Sequence, residues 1–252
     1  MLVSIIMPTY NCGSFIGKSI ESVLKQTLKD WELLIVDDCS TDNTEAVVRE
    51  YAIQHKQIHY IRLTCNSGVA NARTEGIRKA RGQYVAFLDS DDIWLPQKLE
   101  KQIKFMQDNK ISFSCTGYEC MNELGESLHY AFIPPKEITY EKCILLSNPI
   151  GNLTVIYNQN ILGKFEVPSI RKRNDFALWL QILKKTDKCY GMQDILGVYR
   201  MGRRGSISYN KLSQLRYHWK LYHDIEKHSM VRSALEILCW ILVKGTKFGL
   251  KK

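Results

Sequence analysis

The stretch GQYVAFLDSDDIWLP, residues 82–96, decides how the chain is read. Tyr84 to Leu88 is an apolar run of strand length without alternation, the pattern of a strand buried on both faces. It stops abruptly at Asp89, Ser90, Asp91 and Asp92. Three acids therefore sit just past the carboxyl end of a central strand, where open α/β sheets bind their ligands. Carboxylates this close raise one another's pKa, and a bound cation relieves the repulsion. Hard oxygen ligands suit Mg2+ or Mn2+, which keep several waters and take the rest of their shell from a substrate's phosphates. Capping of a helix that starts near Leu95 would account for one acid, at about 1 kcal/mol or less, and leaves two unexplained.

Outward from this stretch the apolar pattern alternates between strand and helix periods. Residues 3–7 read as a buried strand leading through Pro8, Thr9 and Tyr10 into a helix over 15–26. Residues 33–36 read as a second strand ending in Asp37 and Asp38. Asp42, with Glu45 three residues on, makes an acidic capping arrangement for the next helix. A strand over 58–62, a turn at Asn66-Ser67-Gly68 and a helix over 69–79 lead to the strand over 84–88. This βαβαβαβ order predicts a parallel sheet with right-handed crossovers, with Thr9/Tyr10, Asp37/Asp38 and Asp89/Asp91 meeting in one crevice. Beyond it we expect a helix over 95–108, a strand over 111–118, short strands and turns over 121–169, a helix over 174–183 with Asp175 in its first turn, a strand over 195–199 and helix from 209 onward.

The 252 residues suffice for one large α/β domain, and 45% apolar with 24% charged residues exclude a disordered or fibrous chain. The amino terminus, MLVSIIMPTYN, lacks a basic leader region and runs into Pro8, so it reads as a strand and not a signal peptide. No run reaches the roughly 18 apolar residues of a membrane span, and the expectation is a cytoplasmic protein. Eight cysteines are scattered without zinc spacing, which predicts buried small hydrophobes. His55 and His59 read as part of a solvated turn. Gly13 to Ser19 imitates a phosphate-binding P-loop but has three residues between its glycines where four are needed, and no GxGxxG follows the first strand.

The series SIIMPTYN, ELLIVDDCSTDNT, NSGVANARTEGI, GQYVAFLDSDDIW and NDFALWL resembles the family 2 nucleotide-sugar glycosyltransferases, over residues 2–208. The ending YRMGRRGSISYNKLSQLRYHWKLYH is similar to enzymes of teichuronic-acid, capsule and lipopolysaccharide assembly. The resemblance implies a GT-A, Rossmann-like α/β fold: a mostly parallel central sheet flanked by helices, with a nucleotide half (1–110), an acceptor half (111–208) and a helical extension (209–252). It implies an inverting enzyme using a UDP-sugar donor and a glycan or polyprenyl-diphosphate-linked acceptor, without nucleic acid. Pro8, Thr9 and Tyr10 would line the nucleoside pocket, Asp38 would accept from the uracil ring N–H, and Arg73 would lie beside it, paired with an aspartate or not. Asp89-Ser90-Asp91 matches the DxD motif, with Asp91 on Mn2+ or Mg2+ and Asp89 facing ribose or the metal's waters; Asp92 would support the turn or cap a helix. Asp175 matches the catalytic base, with Asn174 where many relatives carry an acid. Arg200 and Arg203 sit in a loop that would close on the diphosphate or form a solvated basic face. The QxxRW motif of processive members is missing, which favours single-sugar transfer. A silent sugar-nucleotide-binding module and a nucleotidyltransferase are the alternatives; intact Asp91 and Asp175 oppose the first, and Pro8-Thr9-Tyr10 in place of a glycine-rich basic loop opposes the second.

Charge is uneven: residues 171–252 hold 18 Lys+Arg against 6 Asp+Glu, a surplus of 12, while residues 1–170 carry three more acids than bases. Val231, Ala234, Leu235, Leu238, Ile241 and Leu242 follow helical spacing, with Lys244, Lys247, Lys251 and Lys252 after them. Such a helix either packs on the domain or lies on an anionic membrane surface, and the basic surplus tips the expectation toward the inner face of the cell membrane.

Overall fold

A computed structural model describes residues 1–146, 148–202 and 213–249, the side chains of 213–214 and 243–249 excepted. The first half alternates as expected: β1 (Val3–Thr9), α1 (Gly13–Leu24), β2 (Trp31–Asp37), α2 (Thr44–Gln54), β3 (Ile58–Arg62), α3 (Val69–Lys79) and β4 (Tyr84–Phe87). Then follow β5 (Ile93–Trp94), α4 (Lys98–Asp108), β6 (Phe113–Met121), β7 (Ser127–Phe132), β8 (Glu137–Ile138), α5 (Tyr140–Leu145), a 3-10 turn (Asn152–Thr154), β9 (Ile156–Asn158) and α6 (Gln159–Leu162). Last come α7 (Asn174–Leu183), β10 (Cys189–Arg200), α8 (Ser213–Trp219), a π-helical stretch (Lys220–Ile225) and α9 (Met230–Gly249).

One sheet runs β3-β2-β1-β4-β9-β6-β10-β5, with β7 on β6 and β8 on β10. Its long ladders, β3-β2-β1-β4 and β6-β10, are parallel, and the short strands β5, β8 and β9 and the edge strand β7 pair antiparallel. The continuous apolar runs follow from burial on both faces. Ile5 and Met7 join the core under α1, α2 and α4, while Ile6 between them joins the core under α3, α5 and α7. Gly76 allows α3 to lie close on β1, since a Cβ there would sit 2.6 Å from Ile6 Cγ2. Trp179, wholly buried, fixes α7 by meeting Phe87 edge-on at 5.4 Å and Phe113 at 6.0 Å. The carboxyl-terminal helices share this core through Leu221 and Tyr222, both wholly buried.

Several expectations are corrected. The helix expected from 95 begins only at Lys98, because Ile93–Trp94 pairs with β10, so the capping weighed as the alternative for one of the acids after β4 does not arise. The strand expected over 195–199 is the end of the twelve-residue β10, whose register slips between Gly191 and Gly197 and broke its alternation. His59 stands in β3, 3.8 Å from the buried Glu32 carboxylate. Cys39 and Cys239 are half-buried and Cys65 is exposed, whereas the other five cysteines are buried.

Lys98 is wholly buried in this frame. Its Nζ donates to Gln102 Oε1 at 2.7 Å and stands 4.4 Å from the Trp94 ring centre. Burial pushes its ammonium down from 10.5 to about 7. The unfolded chain keeps this proton up to about 10.4, so between those values the unfolded state binds more protons and this group's contribution to stability rises with pH. The gain in urea midpoint from Lys98→Met, relative to the parent, is therefore expected to be larger at pH 7 than at pH 10. An equal gain at both would show that the folded lysine is charged throughout.

Candidate active site

The cleft forms where β1, β2 and β4 end. Thr9 stands opposite Asp37 in register, and the Asp38 N–H donates to the Thr9 carbonyl at 2.9 Å, carrying the pairing one residue past the strand. The loops beyond are clamped together. Asn11, at φ 48°, receives Thr41 N–H on its Oδ1 at 2.8 Å and donates its own N–H to Ser40 Oγ at 2.9 Å. Cys12 N–H donates to Thr44 Oγ1 at 2.9 Å and Gly13 N–H to Asp42 Oδ2 at 3.0 Å. Asp42 thus ties the start of α1 to that of α2 rather than forming a capping box with Glu45, which pairs with Arg49 and Arg62. Tyr10 is left 44% exposed at the mouth, while Pro8 and Thr9 are buried.

The two adjacent aspartates divide their work. Asp37 is wholly buried and accepts from Ser40 N–H (2.8 Å), Ser40 Oγ (2.6 Å) and Tyr60 OH (2.5 Å), so it holds the loop. Asp38 accepts at Oδ1 from Ser67 N–H (2.8 Å) and Oγ (3.2 Å), and at Oδ2 from Gly68 N–H (2.7 Å). Its Oδ2 keeps a lone-pair direction for a further donor. Gly68 is required there: at φ +93° a side chain would be strained although the space is open.

Arg73, 5% exposed, extends from α3 into the acidic turn. Its Nη2 donates to Asp89 Oδ1 at 2.7 Å, and its Nη1 donates to Asn174 Oδ1 at the start of α7. The guanidinium so joins the DxD turn to the helix that carries Asp175, not to Asp38. Asp92 is buried, accepts from Arg200 N–H at 2.9 Å, and supports the turn without capping any helix. Arg200 is held as a strut: its Nε donates to the Asp91 carbonyl (2.9 Å) and its Nη1 to the carbonyls of Asn122 (3.2 Å) and Glu123 (2.8 Å). Ser90 is buried in the same turn. Arg203 lies outside the described residues.

Asp175 stands in the first turn of α7, half-buried, behind Arg173 in the left-handed region at φ 68°. It accepts from Asn148 Nδ2 at 3.3 Å. Asn148 was missed from the sequence. It belongs to an irregular segment, where its left-handed φ of 59° follows no period that the sequence would show.

The acidic turn fits a divalent ion. Asp92 Oδ2 is buried without a hydrogen-bond partner, and burial followed by the Asp91 and Asp89 charges holds its carboxyl well above the usual carboxylate range. Among the described residues no three side chains form a protein-only metal cage. One or two carboxylates completed by substrate phosphates is instead the arrangement magnesium adopts.

Breaking a buried pair leaves an uncompensated charge. Asp89 keeps 28% of its side chain exposed, so Arg73→Met is expected to lower unfolding free energy by about 2 kcal/mol in urea titration. Adding Asp89→Asn should recover part of that loss. Full stability in the single variant would show that the bridge carries no weight.

Residues 4–208 match the family described as Glycosyl transferase family 2. The chain is 41% identical over 252 residues to WfgD of Escherichia coli, named UDP-Glc:alpha-D-GlcNAc-diphosphoundecaprenol beta-1,3-glucosyltransferase, covering 100% of this chain and 94% of that one. It is 40% identical over 251 residues to TuaG of Bacillus subtilis (strain 168), a glycosyltransferase by name assigned to teichuronic acid biosynthesis, covering 100% and 97%. Its fold is similar to the crystal structure of S. aureus TarS 1–349 in complex with UDP-GlcNAc, with TM-score 0.73 and 19% identity over 94% of this chain and 70% of that one. With the family match running through β1 to the end of β10 and relatives aligned along its whole length, the chain belongs to glycosyl transferase family 2.

Proposed function

We propose that the chain transfers one sugar from a UDP-sugar to a hydroxyl of a polyprenyl-diphosphate-linked acceptor, with inversion, in cell-surface polysaccharide synthesis. Support for donor and acceptor comes from WfgD, whose name gives both. The observation that carries the reading is the Arg73 bridge, which sets the helix start bearing Asp175 beside the DxD turn.

Tyr10 offers an exposed aromatic face for a base, and Asp38 Oδ2 a carboxylate oxygen for the uracil ring N–H. Asp91 would hold Mn2+ or Mg2+, with Asp89 toward the ribose or the ion's waters, and the ion when bound offsets charge on the leaving diphosphate. Asp175 takes the proton from the acceptor hydroxyl as that oxygen bonds to the anomeric carbon. The bond from that carbon to the diphosphate oxygen breaks on the opposite face, and UDP leaves with the electron pair. Asn148 holds the Asp175 carboxylate in place, and the neutral Asn174 spares it a like charge next door. Closure of Arg203 on the diphosphate belongs to the same reading. A lipid-linked acceptor places the chain at the inner face of the cell membrane, and among the described residues no helix is long and apolar enough to cross it.

Two variants test the assignment. Asp175→Asn is expected to lower kcat by about 10² to 10⁴ while donor binding persists, the usual worth of a general base. Asp91→Ala should abolish UDP release from UDP-glucose and its dependence on Mn2+. Assays of several UDP-sugars against a polyprenyl-diphosphate-linked GlcNAc, with and without Mn2+, read both. Failure of the parent to release UDP from any of them would end the proposal.

A further inference from the structure

Helix α9 packs by its polar side. Ser233, Glu236 and Trp240 are buried, and Ile237 packs on the core. Glu236 accepts from Arg232 Nε at 2.8 Å and lies 2.9 Å from His228 Nδ1, while His228 Nε2 stands 3.0 Å from Tyr140 OH. Arg232 also reaches both oxygens of Glu141 at 3.2 Å. These bonds fix the rotation of the helix about its axis.

The opposite side is apolar and open. Met230, Val231, Leu235, Leu238, Ile241 and Leu242 are between 45% and 72% exposed, and Ala234 is exposed among them. At 100° per residue these positions fill an arc of about 140° that contains no charged or polar residue. A helix in a globular domain normally buries such a stripe; here hydrogen bonds and ion pairs hold it outward.

We propose that this face of α9 lies in the headgroup–acyl boundary of an anionic lipid bilayer. The inference deepens the proposed function, resting on it for the lipid-linked acceptor that a bilayer would present, but the exposed stripe stands without it. Charge favours this occupant: residues 171–252 carry the surplus of 12 basic side chains, and Arg216, Lys220 and Lys227 are exposed on the segments leading into α9. Basic residues beside an apolar helix face strengthen its hold on anionic lipid. Area disfavours a second copy of the chain. The stripe is about 18 Å long by about 10 Å wide, on the order of 200 Å², against about 800 Å² per partner in a stable protein interface.

The test is co-sedimentation of the full chain with phosphatidylcholine vesicles, with and without phosphatidylglycerol, at low and high salt. Binding is expected to the anionic vesicles, weakening as salt rises. Leu235→Glu with Leu238→Glu should weaken it by at least about tenfold at an unchanged melting temperature, since both positions face solvent. Parent protein remaining in the supernatant with anionic vesicles overturns the proposal, as does a double variant that binds like the parent. A parent dimer in light scattering that the double variant dissolves would assign the stripe to a second copy and overturn it too. No donor or acceptor enters this assay: vesicle binding without UDP release supports the docking and sinks only the transferase reading, whereas turnover of a water-soluble acceptor without vesicle binding does the reverse.

Discussion

The Arg73 guanidinium ties the acidic turn after β4 to the start of α7. Arg73 leaves α3, passes under the cleft, and gives one nitrogen to Asp89 at the end of β4 and another to Asn174 at the start of α7. A charge buried to this degree is tolerable only when its partners are in place, so the acidic turn, α3 and α7 must arrive together. Gly76 and Trp179 make that possible: the first lets α3 approach β1, and the second seats α7 against Phe87 and Phe113. Packing far from the cleft thereby sets where Asp175 stands.

Among the described residues, four of the seven non-glycine residues with positive φ stand near the ends of β1 and β2 or beside Asp175. Asn11, Cys39, Asn148 and Arg173 take the left-handed conformation, and each lies in a loop after β1 or β2 or beside Asp175. Asparagine accepts that region readily, while for Cys39 and Arg173 it costs about 1–2 kcal/mol each. Thr9 Oγ1, Arg73 Nε and Asp92 Oδ2 add buried polar atoms without hydrogen-bond partners in the same neighbourhood.

The parallel half of the fold was legible because burial on both faces writes itself as unbroken apolar runs, and the acids after β4 were legible because nothing in a plain fold requires three of them together. The role proposed for Asp175 rests on resemblance alone, since by local sequence it reads as an ordinary first-turn acid, which is where it stands in α7. Three things escaped. The role of Arg200 is set by main-chain carbonyls, which no side-chain pattern announces. The strand β5 is two residues long, too short for any period, so the sequence shows only the helix that follows it. Asn148 reaches Asp175 across 27 positions of chain from a segment without periodicity. The outward turn of α9 was open for a related reason: helical spacing defines a stripe, but the Glu236, His228 and Arg232 bonds and the packing of Ile237 and Trp240 determine which way it points.

In the proposed transfer the acidic turn would receive a donor diphosphate and Asp175 would address the sugar from the other side. A crystal structure of the chain with a UDP-sugar and Mn2+ tests that most directly. The ion is expected on Asp91 and the diphosphate, the uracil within reach of Asp38, and the Asp175 carboxylate on the face of the anomeric carbon opposite UDP. A diphosphate bound away from Asp91, or Asp175 on the leaving-group side, would contradict it.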